Sequence, residues 1–187
     1  MHLTVGITGA SGAVYGYSLI RVLAELGVEV SAVLTDMGHR VLQYECGLTE
    51  AEIARYADVQ DNHDLFSKLA SGSMPSGGMV IVPCSMNTLG SVANGLGDNL
   101  LARTASVTLK EGRKLVCVTR ETPLSILHIE NMLRLARAGA CIMPASPGFY
   151  SRPGEVWELV NGMTSRILDQ FGLKMEGALR WNGGDGH

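Results

Sequence analysis

The sequence predicts a doubly wound α/β fold built on a mostly parallel sheet, and two observations lead there. Five short apolar runs, at 2–8, 28–35, 78–84, 114–119 and 140–145, recur along the chain. They are continuous rather than alternating, the pattern of strands buried on both faces of a parallel sheet. Stretches of helical periodicity separate them, and strand, helix, strand in repetition gives this layered architecture.

Taken in order, the first run, HLTVGIT, leads into AVYGYSLIRVLAEL, which is apolar at helical spacing and stops at Gly27, a helix C-terminal signal. VEVSAVLT is the second strand, and ADVQ at 57–60 reads as a short strand on the sheet's edge. KLASGSMPSGG, 68–78, is a long polar loop, a feature that in a compact α/β domain serves as a lid or ligand wall when ordered. GMVIVPC and KLVCVT follow as strands with NLLARTASVTLKEGRK between them, and SILHIENMLRLARAG ends at Gly139 as the first helix ends at Gly27. After ACIMPA, the last helix, PGEVWELVNGMTSRILDQFG, opens with Pro153 in its first turn. It carries Val156, Leu159, Val160, Met163 and Ile167 on one stripe with Arg166 at the edge. Residues 1–187 read as one domain, and the glycine-rich end, 182–187, is expected to fray.

Composition narrows the function classes. At 187 residues and 46% hydrophobic, the chain can bury a core without metal or disulfide staples. Fifteen basic against eighteen acidic side chains, net −3, leave no basic stripe for nucleic acid and no polybasic segment for a membrane surface. Small molecules are the expected partners. Cys46, Cys84, Cys117 and Cys141 form no CxxC pair, and two sit inside apolar runs where a thiol acts as a small hydrophobe. A reduced, cytoplasmic protein is expected. The first apolar segment lacks a basic leader, is broken by Gly6 and Gly9, and is too short to span a bilayer, so the mature chain is expected to start near Met1.

TVGITGASGAVYG, 4–16, places a glycine turn between the first strand and the first helix, where N–H groups and a helix dipole favour an anion. No lysine follows as a P-loop requires, and Gly9, Gly12 and Gly16 are spaced GxxGxxxG rather than GxGxxG. Asp36, just past the second strand, could hold a ribose hydroxyl as in short-chain dehydrogenases. None of Tyr15, Tyr17, Tyr44, Tyr56 or Tyr150, however, has the lysine four residues on which that class depends. A turn that only packs helix against sheet stays open as well.

CSMNT and RETP follow strand ends on the same sheet edge as the glycine turn, the edge where ligands of open α/β sheets bind. Ser85 and Thr88 at a helix start suit a phosphate or a ribityl chain, or simply cap the helix. Arg103 and Lys110, seven residues apart, share one helix face over about 10 Å; they form either a solvated surface or an anion site. Arg120 and Glu121 end a buried strand, where charges are seldom placed without partners. His128 and Glu130 echo half of a zinc deaminase pattern, but PCSMN lacks its second cysteine, and no metal is expected. Cys84 reads as a packing residue rather than a nucleophile. No Gly-x-Ser-x-Gly elbow is present.

Together, TGASGAVYG, SGSMPSGGMVIVPCSMNTL, NLLARTASVTLKEGRKLV, RETPLSILHIENMLRLARAGA and MPASPGFYSRP resemble the flavin prenyltransferase family of UbiX-like proteins, from residue 3 to Trp181. The ending, RILDQFG through RWNG, is most similar to the members that accompany non-oxidative hydroxyarylic acid decarboxylases. The resemblance implies a Rossmann-like three-layer α/β/α flavoprotein. Its reaction would join a dimethylallyl group, from dimethylallyl phosphate or pyrophosphate, to N5 and C6 of reduced FMN. The product, prenylated FMN, would serve a UbiD-type decarboxylase.

Residue by residue, the resemblance implies that Gly9, Ala10 and Ser11 meet the flavin, and that Thr35 and the segment Ser85, Met86, Asn87 and Thr88 make the remaining FMN contacts with Arg120 beside them. Arg103, Lys110, Arg120, Tyr150 and Arg166 match the groups around the prenyl phosphate, and Ser11, Glu45 and Glu121 match those that hold or relay protons. Arg166 of relatives reaches a neighbouring subunit's site, implying a homo-oligomer, a dodecamer in those relatives. Leu65 stands where some relatives have a tryptophan that shapes the prenyl pocket, with Phe66 next to it. The flavin-dependent decarboxylases of peptidyl or pantothenoyl cysteine differ by an active-site histidine, and His39 lacks its expected surroundings.

Overall fold

The computed structural model describes residues 1–177; the end expected to fray, 182–187, lies outside the described residues. The five apolar runs become β1 (His2–Ile7), β2 (Glu29–Leu34), β4 (Gly78–Cys84), β5 (Lys114–Thr119) and β6 (Cys141–Pro144). ADVQ supplies β3 (Asp58–Gln60). The sheet order is β3-β2-β1-β4-β5-β6, and every pairing is parallel. The chain winds outward from β1 to β3, then crosses to β4 and winds the other way. The reversal between β1 and β4 leaves a crevice at their carboxyl ends.

Side chains alternate along the central strands and divide the core in two. Val80 and Val82 of β4 and Val116 and Val118 of β5 face α1 (Ala13–Glu25), α2 (Asp36–Cys46), the single turn α3 (Glu50–Ile53) and α7 (Val156–Asp169). Met79 and Ile81 of β4 and Leu115 and Cys117 of β5 face α4 (Met86–Ala93), α5 (Leu100–Lys110) and α6 (Ile126–Arg137). The result is the expected three-layer α/β/α arrangement.

Glycines act at the termini and at one close contact. Gly27 and Gly139 follow α1 and α6 at φ of 72° and 97°, in the left-handed region that ends helices. Gly16 lets α1 lie on the sheet: a Cβ there would sit 2.6 Å from the Val82 carbonyl oxygen.

Two expectations need correction. Pro153 is not in the first turn of α7, because the helix starts at Val156 with extended Glu155 as its N-cap, and Gly154 N–H instead donates to Glu158 Oε2 at 2.6 Å. The buried stripe accordingly runs through Val160, Met163, Thr164, Ile167 and Leu168, while Val156 and Arg166 are exposed. The 68–78 stretch is also not wholly loop; Lys68–Ala70 forms a 3-10 turn that buries Leu69. A hydrogen bond of 2.9 Å between buried Thr164 Oγ1 and Ser18 Oγ ties α7 to α1. Among the described residues, no helix is long and apolar enough to cross a membrane.

Candidate functional site

The crevice at the carboxyl edge is assembled by hydroxyl and amide side chains that cap helices. Thr35 Oγ1 caps α2 by accepting from Gly38 N–H at 3.0 Å. Ser85 Oγ caps α4, accepting from Thr88 N–H at 3.3 Å and donating to Thr88 Oγ1 at 3.1 Å. Asn99 Oδ1 caps α5 through Ala102 N–H at 2.9 Å. Buried Asn62 holds the same helix start, its Oδ1 accepting from Leu101 N–H at 3.1 Å and its carbonyl from Leu100 N–H at 2.8 Å.

These N-termini and Gly9 surround a cavity of about 530 Å³, lined further by Asp36, Asn62, His63, Asn87 and Thr88. Helix N-termini carry partial positive charge and free N–H groups, so the cavity is built for an anion flanked by hydroxyl groups. Across its mouth His63 Nε2 stands 3.1 Å from Asp36 Oδ1.

Two side chains hold the glycine turn that forms one wall. Thr8, wholly buried, donates through Oγ1 to the Pro83 carbonyl at 2.7 Å and accepts from Ser85 N–H at 2.8 Å. Glu45 reaches from α2, and its Oε2 accepts from Gly12 N–H at 2.8 Å and Ala13 N–H at 3.1 Å. The first two N–H groups at the N-terminus of α1 are thereby taken by a carboxylate rather than left open. Gly9 is needed for packing: a Cβ there would lie 2.6 Å from Met37 Cβ.

Beyond Gly9 and Met37 the crevice continues into a space of about 480 Å³ lined by Ser11, Arg40, Val41, Tyr44 and Glu45. Of the predicted flavin contacts, Gly9, Thr35, Ser85, Asn87 and Thr88 line the first cavity and Ser11 lines this adjoining space with Gly9, where Glu45, expected to hold or relay protons, also stands. Ala10 and Met86 have their side chains in the core, so only their backbone is available there.

The remaining predicted residues are dispersed. Arg120 N–H donates to the Cys84 carbonyl at 3.2 Å, which sets Arg120 beside Ser85. Next to it Glu121 Oε1 accepts from Thr122 N–H at 3.0 Å, and both side chains are exposed. Tyr150 and Arg166 line a separate cavity of about 490 Å³ between residues 146–151 and α7, together with Ser146, Glu158 and Ser165. Arg166 Nη1 pairs there with Asp169 Oδ2 at 2.9 Å.

Arg103 and Lys110 lie on the outer side of α5, against the loop after the 3-10 turn. Arg103 Nε donates to the Ala70 carbonyl at 3.2 Å, Lys110 pairs with Glu111, and Arg113 Nη2 donates to the Gly72 carbonyl at 2.7 Å. Because α5 runs away from the crevice, its ten residue steps carry Lys110 about 15 Å from Leu100. Within one chain, Lys110 does not join Arg120 and Tyr150. Leu65 and Phe66 are exposed on the loop between β3 and the 3-10 turn.

Cys84 is wholly buried, and a hydrogen bond with Cys117 together with burial pushes its thiol well above the ordinary range. The thiolate a nucleophile needs is therefore disfavoured, in keeping with packing. Thr8, Asn62, His63 and Asn99 were not singled out by the sequence. Asn99, directly before LLARTASVT, carried a helix-start signal that would have found it.

A model of the Flavoprotein family matches residues 1–165. A probable UbiX-like flavin prenyltransferase of Bacillus subtilis (strain 168) is 44% identical over 184 residues, covering 98% of this chain and 90% of the relative. The crystal structure of AnUbiX (PadA1) in complex with FMN and dimethylallyl pyrophosphate is 40% identical with a TM-score of 0.96, covering 97% of each chain. A dodecameric FMN-dependent UbiX-like decarboxylase from Escherichia coli O157:H7 is 42% identical with a TM-score of 0.96, covering 98% of this chain and 100% of that one. A glycine turn capped by a carboxylate, helix N-termini converging on one crevice, and near-full-length likeness in sequence and fold agree: this chain belongs to the flavin prenyltransferase family.

Proposed function

We propose that this chain joins a dimethylallyl group, from dimethylallyl phosphate or pyrophosphate, to N5 and C6 of reduced FMN, and that the prenylated FMN serves a UbiD-type decarboxylase. The observation that carries this reading is the crevice itself: a polar, anion-seeking end between the N-termini of α2, α4 and α5, opening past Gly9 into the space over Ser11. The polar end takes the FMN phosphate and ribityl chain through Thr35, Ser85, Asn87 and Thr88, with Met86 contributing backbone. The other end takes the flavin ring along the backbone of Gly9, Ala10 and Ser11.

In the reaction the C–O bond of the prenyl phosphate breaks with allyl-cation character, and that carbon bonds N5, whose proton is released, leaving an anionic phosphate. Arg103, Lys110, Arg120, Arg166 and the Tyr150 phenol stabilise that anion; losing one such donor costs about 3 kcal/mol, a hundredfold in rate. Ring closure then adds a proton to the prenyl alkene and releases one from C6; Glu121 passes protons between the ring and the departing phosphate with Ser11 beside it, while Glu45 holds the turn that carries Ser11. Tyr150 and Arg166 share a separate cavity in one chain, and Arg103 and Lys110 lie on the outer side of α5, so neighbouring copies in a homododecamer bring these groups to one site. Residues 1–187 act as one domain in the cytoplasm.

The test is to mix the protein anaerobically with reduced FMN and either prenyl donor and weigh the flavin. A gain of one C5H8 unit is expected. Unchanged FMN with both donors would sink this reading.

A further inference from the structure

The segment between β6 and α7, residues 145–155, contains no helix or strand, yet it carries Tyr150. Local features fix its path. The Tyr150 ring lies against Gly148, where a Cβ would come within 2.5 Å of a ring carbon. Arg152 N–H donates to the Phe149 carbonyl at 3.0 Å, closing a turn around Tyr150 and Ser151. Arg152 itself sits at φ 51°, the one non-glycine at positive φ among the described residues. Such a conformation persists only where the surroundings enforce it.

The far end of the segment is held by α7. Its N-cap, Glu155, makes no side-chain capping bond, and the acidic residue of the first turn is Glu158, placed where a helix start favours negative charge. Glu158 Oε2 accepts from Gly154 N–H at 2.6 Å. That bond reaches out of the helix to a residue two beyond Arg152, and so ties the Tyr150 turn to the element that carries Arg166. Glu158, Tyr150 and Arg166 line one cavity. Gly162, four residues from both Glu158 and Arg166 on the same helix face, leaves the room between them open, because a Cβ there would meet nothing within 4 Å.

We propose that Glu158 is a positioning residue for the prenyl donor: it anchors the Tyr150 turn to α7 and so sets the phenol and the Arg166 guanidinium against the same phosphate. Glu158 touches no reacting atom and acts through Tyr150. This role rests on the donor site in the reading above, and the experiment separates the two.

Prenylation by the full chain is followed at saturating reduced FMN with whichever of the two donors wild type turns over, and FMN affinity is measured separately by fluorescence quenching. Glu158→Ala should raise the donor KM about tenfold, the loss of one charge-assisted bond, with a smaller change in kcat and with FMN affinity and circular dichroism as in wild type. Glu158→Gln, which keeps an acceptor, should recover most of the loss. With Tyr150→Phe already in place, Glu158→Ala should cost less than about twofold more, because both act at one group.

A wild type that prenylates with neither donor would overturn the donor site and this role with it. An active wild type in which Glu158→Ala leaves the donor KM unchanged, or multiplies in full onto Tyr150→Phe, would overturn the anchor alone. So would a Glu158→Ala chain that loses FMN affinity and circular dichroism together, since Glu158 would then serve the fold rather than the donor.

Discussion

Ser85 N–H donates to Thr8 Oγ1 at 2.8 Å, a bond that joins residues 77 apart in the chain and sets the α4 cap against the glycine turn. The same hydroxyl donates to the Pro83 carbonyl, which also accepts from Thr8 N–H at 3.3 Å, so one buried side chain serves two backbone groups at once. Thr8→Val keeps the shape and removes both bonds, which costs about 1–3 kcal/mol. FMN affinity, followed by quenching of flavin fluorescence, should fall at least about tenfold. Thr8→Ser should recover most of it. Equal affinity of the valine variant and wild type would mean that Thr8 does not position the crevice.

Gly9 packs so closely on α2 that a Cβ would lie 2.6 Å from Met37 Cβ. Gly9→Ala must therefore push the α2 start away from the turn, a strain of about 1–3 kcal/mol. Because Thr35 caps the displaced helix, FMN binding should weaken along with thermal stability. Met37→Gly in the same chain removes that Cβ and should restore FMN binding, and a double variant binding as poorly as the single would show that the clash is not the cause.

Glu45 should matter to stability as well as to rate. It accepts two N–H groups at the α1 start, where no side chain of α1 provides a cap. Glu45→Ala should cost about 1–2 kcal/mol in urea unfolding, and Glu45→Gln, which keeps an acceptor, should cost less. Equal losses for the two variants would mean that the negative charge supplies the whole effect.

His2 gives the fold an acid sensitivity of known sign. Burial, aided by repulsion from Lys68, holds its pKa below the ordinary value, so the folded state keeps this ring neutral where the unfolded chain would protonate it. Its stabilisation is therefore fully present above about pH 6.5 and is lost as pH falls through the depressed folded value. Between about pH 7 and pH 5 the melting temperature of wild type should drop more than that of His2→Gln. Parallel curves would remove His2 from the account.

The sheet was legible because its strands are buried on both faces, so β1, β2, β4, β5 and β6 stood out as unbroken apolar runs. Gly27 and Gly139 marked helix ends for a local reason, the left-handed φ each adopts. What stayed hidden depends on partners far along the chain. Nothing near Thr8 announces Ser85, and nothing near Asn62 announces the α5 start that it holds. Pro153 looked like a first-turn proline because that rule is local, whereas the Gly154–Glu158 contact shifts the helix start onward.

The spacing of Arg103 and Lys110 established a shared face but not its direction, and α5 carries Lys110 away from the crevice. The glycine turn, legible as a possible anion seat, turned out to be occupied by a carboxylate from α2.

The bond between Thr164 and Ser18 bears on how the chain matures during synthesis. Helix α1 follows the first strand and is among the earliest elements to emerge, yet its cover, α7, is the last helix described. Until that helix arrives, the nascent protein displays part of its central apolar layer to the cell. Chaperone contact and proteolysis should concentrate in that interval. Chains cut short before Val156 should accumulate as degradation substrates, even though every strand of the sheet is already present.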